Sequence, residues 1–353
     1  MKLLSSLWVL TVALLCFSTL ASGKKQQVKP SITILTQNVF VGADLQSLRW
    51  TKGFSNKLKR IDYLFQQVSK TDFTTRARAL AKEIKRINPH IICLQEVAVW
   101  RVGKGLLPRY AKDKRYVYDF LAILQKVLAQ ARLPYKVAIQ EKNESIVAPS
   151  IRHKVISLTD YNVILVKKQI AILSTKSGHF RRQRVIGPKY FSYKLKKGWV
   201  SALVQINNKS YHIVNCHLDL LWKIKNAQIK ELFSLLSKLR GKGFKKAKTL
   251  LAGDFNTNPS YNRYFKRLVK RSKMYDLASR LRQNYAKTCC RRPKSLRNKY
   301  SRLRARVDLL LATKTLKPLR VGRIGVSLSS RGLYKKKYRL WISDHAGVWG
   351  SFQ

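Results

Sequence analysis

A chain of 353 residues that is 45% hydrophobic can bury a large core, which excludes a disordered protein and a small disulfide-stapled scaffold. Its 73 Lys and Arg against 16 Asp and Glu give a formal net charge of +57, a balance that predicts salt-sensitive attraction to nucleic acid, anionic lipid or acidic glycan. The charge specifies no activity, but in so acid-poor a chain a carboxylate inside an apolar run carries information.

The N-terminus reads Met1-Lys2, then an apolar run from Leu3 to Leu20, then Ala21-Ser22-Gly23. A positive start, an apolar middle and a small-x-small exit predict a cleavable secretory signal peptide over residues 1–23, and hence a secreted or periplasmic protein. An uncleaved anchor is the competing reading. The remaining chain, 24–353, carries no internal repeat and no Pro/Gly/Ser linker, and reads as one domain. Cys93 and Cys216 sit in apolar strand-like runs and are expected as buried thiols. The adjacent pair Cys289-Cys290 has no metal-ligand spacing, and its redox state is not legible.

From Ser31 an alternating β pattern ends at Asn38, which is placed to contact a metal-bound water or a phosphate. Thr71 to Asn88 predicts an amphipathic helix capped by Thr71 or Asp72 and stopped by Pro89. The next strand, from His90, stays apolar until Gln95-Glu96. A carboxylate at the end of a buried strand asks for a cation or a salt bridge. Tyr118 to Leu133 predicts a second amphipathic helix, and a polar excursion from Asn143 to Thr159 precedes a core strand from Asp160 to Val166. Residues 177–197 mix basic residues with Phe180, Tyr190, Phe191 and Tyr193, a composition suited to nucleic acid or to a membrane interface.

Trp199–Ile206 and Ser210–Cys216 predict a hairpin about Asn207-Asn208-Lys209 that delivers His217 at an apolar strand end. Leu221 to Leu239 follows as a basic amphipathic helix. Then Thr249-Leu-Leu-Ala-Gly-Asp254-Phe-Asn256 predicts a buried strand whose Asp254 and Asn256 project one way while Phe255 faces the other layer. A carboxylate beside an amide can orient a water and contact a phosphate oxygen. Residues 262–306 form a highly basic segment, a solvated face or a grip on a polyanion beside the site. Asp308 opens the next apolar strand, and Asp344 and His345 are expected inside the last one.

These polar residues are explained together if the strands gather them at one edge. Glu96, Asn38 and Asp344 offer hard oxygen ligands suited to Mg²⁺ or Mn²⁺, and two histidines near acids supply a general base and a phosphate donor. No serine or cysteine nucleophile motif presents itself.

Thr36-Gln-Asn38, Leu94-Gln-Glu96-Val97, Asn215-Cys-His217-Leu, Gly253-Asp254-Phe-Asn256, Val307-Asp308 and Ser343-Asp344-His345 resemble, in that order, the endonuclease/exonuclease/phosphatase superfamily with the deoxyribonuclease I-like fold. The resemblance runs from about Ile32 to the C-terminus. It implies an α/β, four-layered sandwich: two packed, mainly antiparallel β-sheets flanked by helices. It further implies Mg²⁺-dependent hydrolysis of phosphate esters, with Glu96 as principal metal ligand and Asn38 and Asp344 near the metal. Asp254 and Asn256 would position water and phosphate, His345 would be the base partnered by Asp308, and His217 a phosphate donor.

Substrate is where the resemblance says least, because one site serves many phosphate esters in this fold. A secreted, non-specific nuclease is the favoured expectation, since diffuse positive charge suits a long polyanion. A sphingomyelinase-like phospholipase C is the second, and an inactive polyanion-binding protein the third. DNA or RNA is the expected partner, anionic lipid the alternative; no protein partner is indicated, and a monomer is expected.

Overall fold

Every residue of Ile32–Asn38 is buried, with Ile32 and Ile34 on one face and Leu35 on the other, so this strand must lie inside a sheet covered on both sides. The chain is described by a computed structural model over residues 31–104, 115–152, 154–186, 193–241, 247–283, 286–292, 296–335 and 337–353. The expected signal peptide, and Tyr190 and Phe191 of the aromatic-basic stretch, lie outside the described residues.

The strands of the first half are β1 (Ile32–Asn38), β2 (Ile91–Lys104), β3 (Arg115–Asp119), β4 (Tyr135–Pro149), β5 (Lys154–Lys167), β6 (Ala171–His179), β7 (Arg184–Ile186) and β8 (Tyr193–Leu195). The second half adds β9 (Gly198–Ile206), β10 (Lys209–His217), β11 (Lys248–Asp254), β12 (Met274–Asp276), β13 (Asp308–Thr313), β14 (Pro318–Ile324), β15 (Gly332–Tyr334), β16 (Tyr338–Leu340) and β17 (Gly347–Phe352). One large sheet runs β14-β17-β1-β2-β5-β4 with β3 attached to β2; the other runs β12-β13-β11-β10-β9-β6. Each contains one parallel pair, β1 with β2 and β10 with β11, among antiparallel neighbours.

Between the sheets lies an apolar layer that includes Ile32, Ile34, Cys93, Val204, Ile213, Leu250 and Leu310. Helices Phe54–Lys70, Phe73–Ile87 and Phe120–Gln130 cover the outer face of the first sheet through Leu64, Leu80, Ile84 and Leu124. Helices Trp222–Gly241 and Arg263–Arg271 cover the second through Leu232, Leu236 and Phe265. The result is the expected α/β/β/α sandwich, with Cys93 and Cys216 as buried free thiols.

The hairpin β9–β10 turns on Asn207 and Asn208, both at positive φ (49° and 58°), the geometry of a two-residue primed turn. Asp72 caps the helix Phe73–Ile87 by accepting from Thr75 N, and Asp119 caps Phe120–Gln130 by accepting from Ala122 N, so the expected start at Tyr118 moves inward and Tyr118 belongs to β3. Three expectations are corrected. The stretch from Asn143 to Thr159 is no excursion but the far half of a long β4–β5 ladder pairing Pro149 with Val155, whose two bulges interrupt the alternation. Glu96 does not end its strand: β2 continues to Lys104, and Glu96 sits in a bulge between Leu94 and Val97 at φ 58°. Asp344 and His345 lie in the loop between β16 and β17, because their backbone bonds to Ser343, Arg291 and Gln37 rather than to a neighbouring strand.

Candidate active site

The two parallel pairs end at one edge of the sandwich, and the polar residues are found there. Asn38 is the last residue of β1, His217 of β10 and Asp254 of β11, while Asp308 is the first of antiparallel β13. Pairing register sets His217 beside Asp254 and Asp254 beside Asp308, so three functional groups stand in a row across the second sheet. Gly253 makes this row possible. Its φ is +144°, and a Cβ there would lie 2.0 Å from the Cys216 carbonyl oxygen, so only glycine lets β11 close on β10.

Asn38 joins the sheets. Its Nδ2 donates to Glu96 Oε1 at 3.0 Å and to Asp254 Oδ2 at 3.1 Å, while its Oδ1 accepts from Phe40 N at 2.9 Å. The bulge turns the Glu96 carboxylate inward, where Oε2 accepts from Val41 N at 3.0 Å. Asn38, expected among the metal ligands, accepts from Phe40 N through its oxygen and donates to both carboxylates, and so holds Glu96 and Asp254 in place.

His345 Nδ1 lies 2.9 Å from Asp308 Oδ2 and 3.1 Å from Oδ1, leaving Nε2 to face the pocket, 3.9 Å from Asp254 Oδ2. Burial alone would lower the His345 pKa, but Asp308, Asp344 and Asp254 around it overcome that and hold it well above the ordinary value. His217 Nε2 stands 3.6 Å from the other side of Asp254 Oδ2. Burial, then the ammonium of Lys197 and His345, push the His217 pKa well below its ordinary value, so His217 is neutral. The carboxyl of Asp254 is pushed up to about 7 by burial and by Asp308 beside it.

Asp344 is nearly buried, its Oδ1 accepting from Ser343 Oγ at 3.2 Å, and burial raises its carboxyl to about 6, with His345 opposing and the charge of Glu96 adding. The Glu96 and Asp344 carboxylates present hard oxygens of the kind that fit a divalent cation, and they are the residues that would hold it. Asp254, Asp308 and His345 form a second set whose ligand atoms lie within 4.8 Å of one another. Asn256, at φ 47°, leaves the strand path; its N donates to Asp254 Oδ1 at 2.9 Å and its Nδ2 to Leu218 O at 2.8 Å. These contacts link all eight expected residues into one cluster.

A family model described as the Endonuclease/Exonuclease/phosphatase family matches residues 35–345, nearly the whole chain. The chain belongs to that family. It is accordingly a hydrolase of phosphoric esters. Among solved structures, the mannosyl-6-phosphatase of Bacteroides thetaiotaomicron is similar with TM-score 0.58 and 14% identity, over 91% of this chain and 99% of that one. Truncated Caenorhabditis elegans TDP2 follows at TM-score 0.54 and 16% identity, covering 91% and 96%. D. rerio TDP2 complexed with single strand DNA product gives 0.53 and 17%, covering 91% and 98%. At these identities the likeness carries the fold alone. No curated protein matches the chain.

Sequence reasoning missed the roles of four residues. Arg76, fully buried among Phe73, Phe120 and Phe40, donates to the carbonyls of Val39, Phe40, Thr71 and Ile342 and so pins the loop after Asn38 to the loop before Asp344. Its signal was an arginine one turn before Leu80 on the apolar face of an amphipathic helix. Lys197 Nζ lies 3.2 Å from His217 Nδ1, and nothing in its local sequence marks it. Gln95 and Asn215 bond across the sheets at 2.7 Å beneath the pocket, and Asn215 Nδ2 also donates to the carbonyls of Leu94 and Val163.

Proposed function

We propose that this protein is a divalent-metal-dependent phosphodiesterase that hydrolyses nucleic-acid phosphodiester bonds by in-line attack of water. The observation that carries the reading is the His345–Asp308 pair at 2.9 Å, with Nε2 facing Asp254 across the pocket. Asp308 fixes Nδ1–H and aims Nε2 into the site; in the form that has lost its Nε2 proton, Nε2 takes one from water as it adds to phosphorus, and the surrounding carboxylates stabilise the imidazolium that results. Asp254, held by Asn38 and the Asn256 backbone, aligns that water. Neutral His217, with Lys197 beside it, donates to a phosphoryl oxygen. A Mg²⁺ or Mn²⁺ ion held by Glu96 and Asp344 would supply neutralisation of the phosphoryl and leaving oxygens.

Nucleic acid is favoured as substrate by the net charge of +57. Exposed Leu220, Leu221 and Trp222, three to five residues beyond His217, support a lipid phosphodiester as the second reading, since exposed apolar side chains suit a membrane interface. We further take residues 1–23 as an export signal, which the mass of the protein recovered from an expressing cell's exterior tests directly. Plasmid DNA, RNA and sphingomyelin vesicles, each incubated with Mg²⁺ or with EDTA, decide the substrate. Metal-dependent nucleic-acid cleavage is expected, and turnover of sphingomyelin alone would replace the nuclease reading with the lipase one.

A further inference from the structure

Thr288 to Arg291 is clamped between the strand that carries Asp308 and the loop that carries His345. Thr288 N and Cys289 N donate to Ala305 O at 2.7 and 2.8 Å, and Arg304 N and Ala305 N both donate to Cys289 O at 2.6 Å. On the other side Ala346 N donates to Thr288 O at 2.7 Å and Arg291 N to Asp344 O at 2.8 Å. Thr288 Oγ1 accepts from Val307 N and Asp308 N at 3.0 and 3.1 Å. This backbone has no freedom to carry its side chains elsewhere, so Cys289 and Cys290 stand at the reacting face of His345.

Cys290 Sγ lies 3.6 Å from His345 Nε2, and the donor atoms of Cys289, Cys290 and His345 all lie within 4.8 Å of one another. Because Nδ1 is held by Asp308, Nε2 is the nitrogen turned to the sulfurs, and a carboxylate behind an imidazole is the support that metal-binding histidines use. Cys289 and His345 are buried while Cys290 is exposed, which gives a cation a way in. Bonds of about 2.3 Å to sulfur and about 2.0–2.1 Å to nitrogen at a tetrahedral angle put the two donors about 3.6 Å apart, matching the 3.6 Å between Cys290 and His345.

We propose that Cys289, Cys290 and His345 form a site for a thiophilic divalent cation of the Zn²⁺ or Cd²⁺ class, and that its occupation shuts the hydrolytic centre by taking the free nitrogen of His345. The effect on turnover rests on His345 being the base; the binding does not. Soft donors separate this site from the oxygen pair Glu96 and Asp344, so Mg²⁺ and Zn²⁺ are sorted by ligand chemistry. The two cysteines are bonded sulfur to sulfur. A dithiol reductant must first give that bond two electrons and two protons, becoming a disulfide itself; the cation then displaces the two thiol protons and the proton on His345 Nε2. Oxidation therefore protects the hydrolase from soft metal, and reduction exposes it.

The test uses the full chain, reduced with dithiothreitol, desalted without air and titrated with Cd²⁺ while the ultraviolet sulfur-to-cadmium charge-transfer band is followed. One equivalent is expected to saturate the band. Cys290→Ser, at an exposed position that folding tolerates, and His345→Gln should each weaken binding by about 10–100-fold. Air-oxidised protein should give no band. Equimolar Zn²⁺ should suppress Mg²⁺-supported turnover of bis(p-nitrophenyl) phosphate by the reduced protein and spare the oxidised protein. Absence of the band from reduced protein, or affinity in Cys290→Ser and His345→Gln unchanged from that of the unsubstituted protein, overturns the site. Undiminished turnover with Zn²⁺ bound overturns its inhibitory role. A His345-dependent band in a protein that hydrolyses no phosphodiester supports the site while removing the functional reading above.

Discussion

Asn38 Nδ2 donates across the sandwich to Asp254 Oδ2 at 3.1 Å, and this bond fixes how the edges of the two sheets meet. The same nitrogen reaches Glu96 at 3.0 Å, so one amide sets the spacing between the metal-side carboxylate and the water-side carboxylate. Asn38→Ala leaves buried Asp254 and half-buried Glu96 each short of a donor and is expected to cost about 1–3 kcal/mol of stability. Asn38→Asp puts a like charge between them and should be worse without Mg²⁺ than with it. Urea unfolding of both variants, with and without Mg²⁺, checks the order.

Asp308→Asn removes the charge that holds the His345 pKa up, so that pKa should fall toward and below its ordinary value. The tautomer also ceases to be fixed, and turnover should drop by about 10²–10⁴-fold. Imidazole proton resonances followed through pH, together with the rate on a small phosphodiester, measure both effects. An unmoved titration would mean that Asp308 does not govern His345.

Arg76 is a positioning residue, buried and cation-caged, with its pKa lowered to about 9 by burial against the opposing charges of Asp344, Asp72 and Glu96. Arg76→Met fills the space but frees three carbonyls on the two site loops, and that of Thr71 beside them. A loss on the order of 3 kcal/mol is expected. Turnover should fall with KM for Mg²⁺ rising, since the loops of Asn38 and Asp344 lose their common tie. A stability loss with unchanged Mg²⁺ dependence would reduce Arg76 to a packing role.

Asp160, in β5, is buried; among the described residues Asn143 Nδ2 donates to it at 3.4 Å, and burial pushes its carboxyl up to about 7 from 3.8. A folded-state pKa above the unfolded one means that the native state keeps its proton longer. Stability is therefore lost as pH rises from about 4 through about 7. Asp160→Asn removes that penalty and should stabilise the protein by on the order of 2–4 kcal/mol at about pH 8 while changing little at about pH 4. Thermal or urea midpoints at the two pH values test the sign.

Gly253→Ala places a Cβ against the Cys216 carbonyl and forces a backbone at φ +144° that alanine avoids. It should destabilise by about 3 kcal/mol or more and displace Asp254 from His217. Denaturant unfolding read beside activity at low temperature separates the two losses.

By itself the sequence determined the alternating and helical periodicities, hence the layers, and it placed Asn38, His217, Asp254 and Asp308 at strand termini, because side-chain period and chain breaks are local properties. It marked His345 and Asp344 by their order among the motifs while misjudging their backbone, since a loop flanked by apolar residues is spelled like a strand. Tertiary structure alone decided what depends on pairing register and loop closure: the bulge that turns Glu96 inward, the reach of Arg76 to carbonyls 36 to 266 residues away, and Lys197 against His217. The adjacent cysteines show the division most plainly. Their spacing names no metal site, and only the ladder of Thr288 to Arg291 against Ala305 and Asp344 brings a third donor, 55 residues distant, within bonding reach.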